Sequence, residues 1–110
     1  MALLRVLDAA RSVIDEVNRL IDRRTPRLIY REQLRESAQS VAANIQEAFG
    51  RTRGPDRRVF LGYARASAEE ANEHLRSNFG SRRLRPVDYW PLHHRLVTIA
   101  RMLDALIEDD

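Results

Sequence analysis

Apolar side chains recur at steps of three and four residues in four separate stretches of this 110-residue sequence, and no stretch sustains an apolar–polar alternation of period two. A step averaging about 3.5 residues returns to one side of a helix on every turn, whereas a half-buried strand needs a period of two. Leu3, Val6, Leu7, Ala10, Val13, Ile14, Val17, Leu20 and Ile21 mark the first stretch, which stops at Arg23-Arg24-Thr25-Pro26. Cations in a last turn followed by proline are a helix-ending signal. The second stretch carries Leu34, Ala38, Val41, Ile45, Ala48 and Phe49 and ends at Gly50, where a left-handed cap favours glycine. Gly54-Pro55-Asp56 opens the third, with proline at the first helical position and an acid in the first turn. It continues through Phe60, Ala64, Ser67, Ala71 and Leu75 to Asn78-Phe79-Gly80, and the fourth runs from Pro86 through Tyr89, Leu92, Leu96, Ile99, Leu103 and Leu106.

The spacing thus predicts helices over about residues 2–24, 30–50, 55–79 and 86–108, in one domain spanning 1–110. Pro91 is expected to kink the last helix or delay its start. Helices of this length are roughly 30 Å long, and their short connections force neighbours to run antiparallel. The fold class that follows is all-α: an antiparallel up-down-up-down four-helix bundle, left-handed because its seams repeat every seven residues.

Composition removes several functions. The absence of cysteine excludes disulfides, thiolate nucleophiles and cysteine-based metal centres. No apolar run reaches the roughly 20 residues of a membrane span, and Arg5, Asp8 and Arg11 interrupt the N-terminal region where a signal peptide needs an apolar core. A cytoplasmic location with no membrane partner is the resulting expectation. All 19 basic residues are arginine, against 16 acids. Arginine stays ionised and forks onto carboxylate or phosphate, so it serves ion-pair networks and nucleic-acid backbones alike. Arg51, Arg53, Arg57, Arg58 and Arg65 face Asp56 alone within residues 51–65, and Arg82, Arg83 and Arg85 follow. These eight are the candidate nucleic-acid contacts, concentrated at what is expected to be a basic end. No aromatic lies between Phe49 and Phe60, which favours backbone contact over base stacking at the first cluster.

Two polar stripes flank the apolar seams. Ser40, Asn44, Glu47 and Arg51 share offsets 0, 4, 7 and 11 with Tyr63, Ser67, Glu70 and His74 on the next helix. Ser40, Asn44, Glu47, Ser67 and Glu70 are read as a structural polar network that sets register, with a ligand or subunit site as the alternative. No catalytic residues, cofactor or metal are assigned. A di-iron bundle needs Glu-x-x-His pairs that are absent, so a metal enzyme using Glu47, Glu70 and His74 is disfavoured, and His93 and His94 point about 100° apart. The scattered glycines match no nucleotide-binding loop, and no nucleophile elbow is present. Small residues on several faces of the middle helices, Ala38, Ala42, Ala43, Ala64, Ala66 and Ala68 among them, invite close packing and self-association.

The run Gln33-Leu34-Arg35, Ser37-Ala38, Ser40-Val41, Asn44-Ile45, Glu47, Phe49-Gly50-Arg51 resembles the signature of the four-helix bundle family first met in intervening sequences of bacterial 23S ribosomal RNA genes. A second block, Phe60-Leu61, Tyr63-Ala64, Ala66-Ser67 and Glu70, is similar to that family's downstream segment at the right distance. Ala42, Gln46, Ala48 and Ala66 stand where the family more often has Pro, Ala, Gly and Gly. The resemblance implies a bundle that assembles as a homopentameric ring. It extends to the accessory variability protein of diversity-generating retroelements, which implies RNA or DNA and a reverse transcriptase as partners. The function expected is a non-enzymatic oligomeric module that binds nucleic-acid backbone, RNA first, or assists a nucleic-acid enzyme; the alternative is a protein-interaction or structural scaffold with no nucleic acid.

Overall fold

The computed structural model describes residues 1–109 of the chain. Four helices follow one another: α1 (Ala2–Arg24), α2 (Arg31–Phe49), α3 (Pro55–Gly80) and α4 (Pro86–Asp109), with no strand among the described residues. α1 packs on α2, α2 on α3, α3 on α4 and α4 back on α1, with the α2–α3 pair the most extensive. No diagonal pair brings its backbones close together among the described residues, so the four helices stand at the corners of an up-down-up-down bundle. The molecule measures 43 × 19 × 19 Å.

The core is the set of apolar positions that the helical spacing selects. Val6, Val13, Val17 and Leu20 from α1 meet Leu34, Val41 and Ile45 from α2, Leu61 and Leu75 from α3, and Leu96, Ile99 and Leu103 from α4, all fully buried. Burying each such side chain stabilises the fold by about 1.5–3 kcal/mol. Ala38 and Ala48 on α2 and Ala64, Ala68 and Ala71 on α3 are also fully buried. Their small size lets this helix pair approach closely.

Helix ends depart from expectation at four places, each for a local reason. Tyr30 lies outside α2: it adopts a left-handed conformation (φ 57°, ψ 35°) and its carbonyl accepts the Leu34 N–H at 2.8 Å, which starts the helix one residue later. Gly50 is not left-handed but near-helical (φ −77°, ψ −3°), because a tight turn continues through Arg51 N–H on Ala48 O at 3.2 Å. The positive φ of that loop falls at Gly54 (129°), whose carbonyl accepts the first α3 donor, Arg58 N–H. Gly80 is the last residue of α3, and the left-handed position beyond it is Arg82 (φ 61°). Pro91 does not delay α4, which runs without a break from Pro86; Pro91 and Val87, whose carbonyl loses its donor, are both exposed.

Candidate nucleic-acid interface

Antiparallel topology sorts the loops to two ends. Loops 25–30 and 81–85 share one end, where Arg83 donates to the Arg27 carbonyl at 3.0 Å. Loop 50–54 lies at the other with the end of α4, where Arg53 donates to the Asp109 carbonyl at 2.7 Å. The eight arginines singled out in the sequence therefore form no single patch. Arg51, Arg53, Arg57 and Arg58 stand at one end of the 43 Å bundle, and Arg82, Arg83 and Arg85 stand at the other.

The two ends differ in charge. At the 50–54 end, the arginines share space with acids: residues 1–8, 47–58 and 101–109 hold six arginines and six acids. Arg51 pairs with Glu47 at 3.4 Å and lies over the Phe60 ring at 4.8 Å, and Arg57 donates to the Arg51 carbonyl at 2.9 Å. Residues 22–32 and 76–88, at the other end, hold eight arginines against Asp22, Glu32 and Asp88. Arg23, Arg24, Arg27 and Arg31, absent from the sequence-based set, thus join Arg82, Arg83 and Arg85. Nothing in the linear sequence brings residue 27 beside residue 83; only the closure of the bundle does.

Asp88 organises this end. Its carboxylate, 12% exposed, accepts from Arg24 at 3.0 Å and Arg85 at 3.2 Å, with Arg23 at 3.9 Å. Burial pushes its pKa up, but the hydrogen bonds from Arg24 and Arg85 outweigh that and hold it below the ordinary value. One carboxylate among three guanidinium groups leaves the surface positive. The Arg27 and Arg82 guanidinium groups are exposed and have no partner among the described residues.

Arg65 occupies neither end. It bridges α3 to α4 through Asp104 at 2.6 Å and also pairs with Glu69 at 2.5 Å, which raises its pKa further. It lines a hollow of about 830 Å³ along the α3–α4 groove, with Glu73 and Arg76 (3.1 Å apart) and His93. Charges there are paired with one another, so the groove is close to neutral.

The polar stripes do meet at their centre. Ser67 donates to the Ser40 hydroxyl at 2.8 Å across the α2–α3 seam, and the Asn44 amide donates to the Ser40 hydroxyl at 3.1 Å and to its carbonyl at 2.9 Å. Glu47 and Glu70 are exposed and pair with residues four positions further along the chain, Arg51 and, at 3.7 Å, His74. Among the described residues no three His, Asp or Glu side chains stand close enough to hold a metal ion, and no helix is long and apolar enough to cross a membrane.

The profile of the 23S rRNA-intervening sequence protein family matches residues 3–105 of the chain. No curated protein of known function matches it. Among solved structures, a Bacteroides thetaiotaomicron protein of unknown function from the S23 ribosomal protein family superposes with a TM-score of 0.90 at 20% sequence identity. The alignment covers 98% of this chain and 99% of that one. At that identity the likeness shows the shared bundle fold.

Proposed function

The chain belongs to the 23S rRNA-intervening sequence protein family, and from that premise we propose that it is a non-enzymatic module that binds RNA backbone through the end formed by loops 25–30 and 81–85. One observation carries the reading. Arginines from two loops and three helix ends converge on a single end, eight against three acids, although the chain's net charge is only +3. Such a concentration attracts a polyanion at distances beyond any single contact. Arginine's planar fork then fits phosphate oxygens in pairs.

Self-association strengthens this design. Leu4 is 48% exposed on α1, and Ala2, Met102 and Leu106 line a shallow apolar hollow between α1 and α4. Burying that strip against further copies presents several basic ends at once, and avidity then multiplies a modest affinity. A homopentamer that assists a nucleic-acid enzyme such as a reverse transcriptase is the fuller form of the proposal. The same strip favours a second reading, in which the bundle is a protein scaffold with no nucleic acid.

The deciding experiment is binding of the purified protein to a labelled structured RNA across a salt series, with duplex DNA as competitor. Binding should weaken along a log–log line whose slope is about 0.7–0.9 per phosphate contacted. No binding at low salt overturns the reading in favour of the scaffold.

A further inference from the structure

The basic end also gathers aromatic side chains, of which Trp90 is exposed. Phe79 and Pro86, together with Arg27, Arg82, Arg83 and Arg85, line a hollow of about 450 Å³ between the loops. Phe79 belongs to a second assembly as well. Its ring lies parallel to that of Tyr89, 4.2 Å away at an interplanar angle of 4°, and meets Trp90 at 5.6 Å and 70°. On α4, Trp90 stands one turn after Pro86 and meets Phe79, so these two rings continue the hollow as an aromatic shelf, with His93 turned toward α3 and His94 toward α1.

Trp90 is the chain's single tryptophan and is 44% exposed. It is also firmly placed. Tyr89 meets it at 4.9 Å and 66°, His93 at 5.5 Å and 89°, and His94 lies closer to parallel at 5.9 Å and 27°. Rings held in this way lose little freedom when a ligand settles on them. An indole that is held by its neighbours and still open to solvent, separated only by Phe79 from a hollow lined by the guanidinium groups of Arg27, Arg82 and Arg83, combines the two elements of single-strand recognition: cations for the backbone and a π-face for the base.

We propose that the basic end takes single-stranded RNA, with an unpaired base stacked on Trp90 while Arg27, Arg82 and Arg83 hold the flanking phosphates. The proposal rests on the reading of this end as the nucleic-acid face and adds what that face discriminates. A duplex keeps its bases stacked inside and offers only phosphates, so Trp90 contributes nothing to duplex binding. An acidic peptide satisfies the cations but gives the indole no flat partner. Stacking needs no particular base, so selectivity is for unpaired strand over helix rather than for sequence.

The test uses the full chain and two readouts: anisotropy of a fluorescein-labelled oligoadenylate of about 12 nucleotides, within the usual span of single-strand sites, and the emission of Trp90 itself. The same strand annealed to its complement is the duplex probe. The single strand should quench Trp90 over the concentration range that raises anisotropy, and it should bind more tightly than the duplex. Trp90→Leu should weaken single-strand binding about 5- to 100-fold and leave duplex binding unchanged. Trp90→Phe, which keeps a π-face, should recover part of the loss, with circular dichroism showing both variants folded. Single-strand binding with no quenching, and at wild-type strength in Trp90→Leu, overturns the stacking proposal while leaving the backbone reading intact. Failure of both probes to raise anisotropy overturns the two together.

Discussion

The side-chain amide of Asn78, fully buried near the end of α3, holds the backbone of Ile29 in the α1–α2 loop from both sides: its oxygen accepts the Ile29 N–H at 2.9 Å and its nitrogen donates to the Ile29 carbonyl at 3.0 Å. The same nitrogen also donates to the His74 carbonyl at 2.8 Å. This clamp fixes loop 25–30 against α3 and so places Arg27 beside loop 81–85. Asn78→Leu keeps the branched shape but strands two backbone groups, so it should destabilise the protein by about 2–4 kcal/mol in chemical denaturation. Asn78→Asp, which cannot donate to Ile29 O, should be comparably damaging. A loss below about 0.5 kcal/mol in both would mean that water replaces the amide at little cost.

The bundle is legible because its periodicity is redundant: fully buried side chains such as Val13, Val17 and Leu20, or Leu96, Ile99 and Leu103, lie at three- and four-residue steps, and Pro26, Gly54 and Pro55 punctuate the helices. What depends on chain closure is not. Asp88 meets Arg24, 64 residues away, only because α1 ends where α4 begins. Asn78 looked like one residue of an Asn-Phe-Gly stop signal, and its partner is a backbone group that no side-chain pattern marks. Ser40, Asn44 and Ser67 meet at the α2–α3 seam, whereas Glu47 and Glu70, at offsets of the same stripes, stand far enough around their helices to reach solvent, a difference that spacing alone does not carry. No spacing singles out Trp90; the shelf emerges only where the folded chain sets Phe79, which lines the hollow of loop 81–85, against the indole.

Acid should weaken the protein through Asp88. Its folded pKa lies below the ordinary 3.8, so its contribution is complete above that value and disappears as pH falls through the folded pKa. Glu16, lowered chiefly by its hydrogen bond from Arg19, acts in the same direction. Asp88→Asn should cost about 1–3 kcal/mol at neutral pH by leaving Arg24 and Arg85 without their charged acceptor. The decline in unfolding midpoint below about pH 4 should be shallower in the variant than in the wild type; parallel declines would place the acid sensitivity elsewhere.

A second, milder pH effect belongs to His93. Burial first, then the cations of His94 and Arg76, hold its pKa below 6.5, and its Nδ1 sits 3.1 Å from the Asn72 oxygen. The unfolded chain therefore takes up the proton before the folded one does, and stability should fall as pH drops below about 6.5 and level off below the folded pKa. His93→Gln should flatten the thermal midpoint between about pH 7.5 and 5.5. An unchanged profile would exclude His93 as its source.

Arg65 separates structural from functional arginines. Its side chain is 35% exposed and engaged with Asp104 and Glu69, so Arg65→Gln should cost only about 0.5–1 kcal/mol of stability. RNA affinity and its salt slope should stay at wild-type values, because the guanidinium already has two carboxylates. A reduced salt slope in this variant would return Arg65, and the α3–α4 groove with it, to the interface.

Arg82 offers the sharpest test because its effects on fold and on binding run in opposite directions. It closes α3 in a left-handed conformation, its N–H on Phe79 O at 3.1 Å and the next N–H, of Arg83, on Asn78 O at 2.8 Å. Glycine is the ordinary residue at such a position, since a side chain there costs about 1 kcal/mol. Arg82→Gly should therefore raise stability by about 0.5–1 kcal/mol, a thermal midpoint higher by a few degrees. The same change removes an unpartnered cation, so RNA affinity should fall and the log–log salt slope should drop by about 0.7 on a single strand. Arg58→Gln, at the other end, should leave both stability and slope nearly unchanged. If Arg82→Gly gains stability and binds RNA with the wild-type slope, phosphate is held somewhere other than this end, and neither the backbone reading nor the stacking shelf at Trp90 survives in its present form.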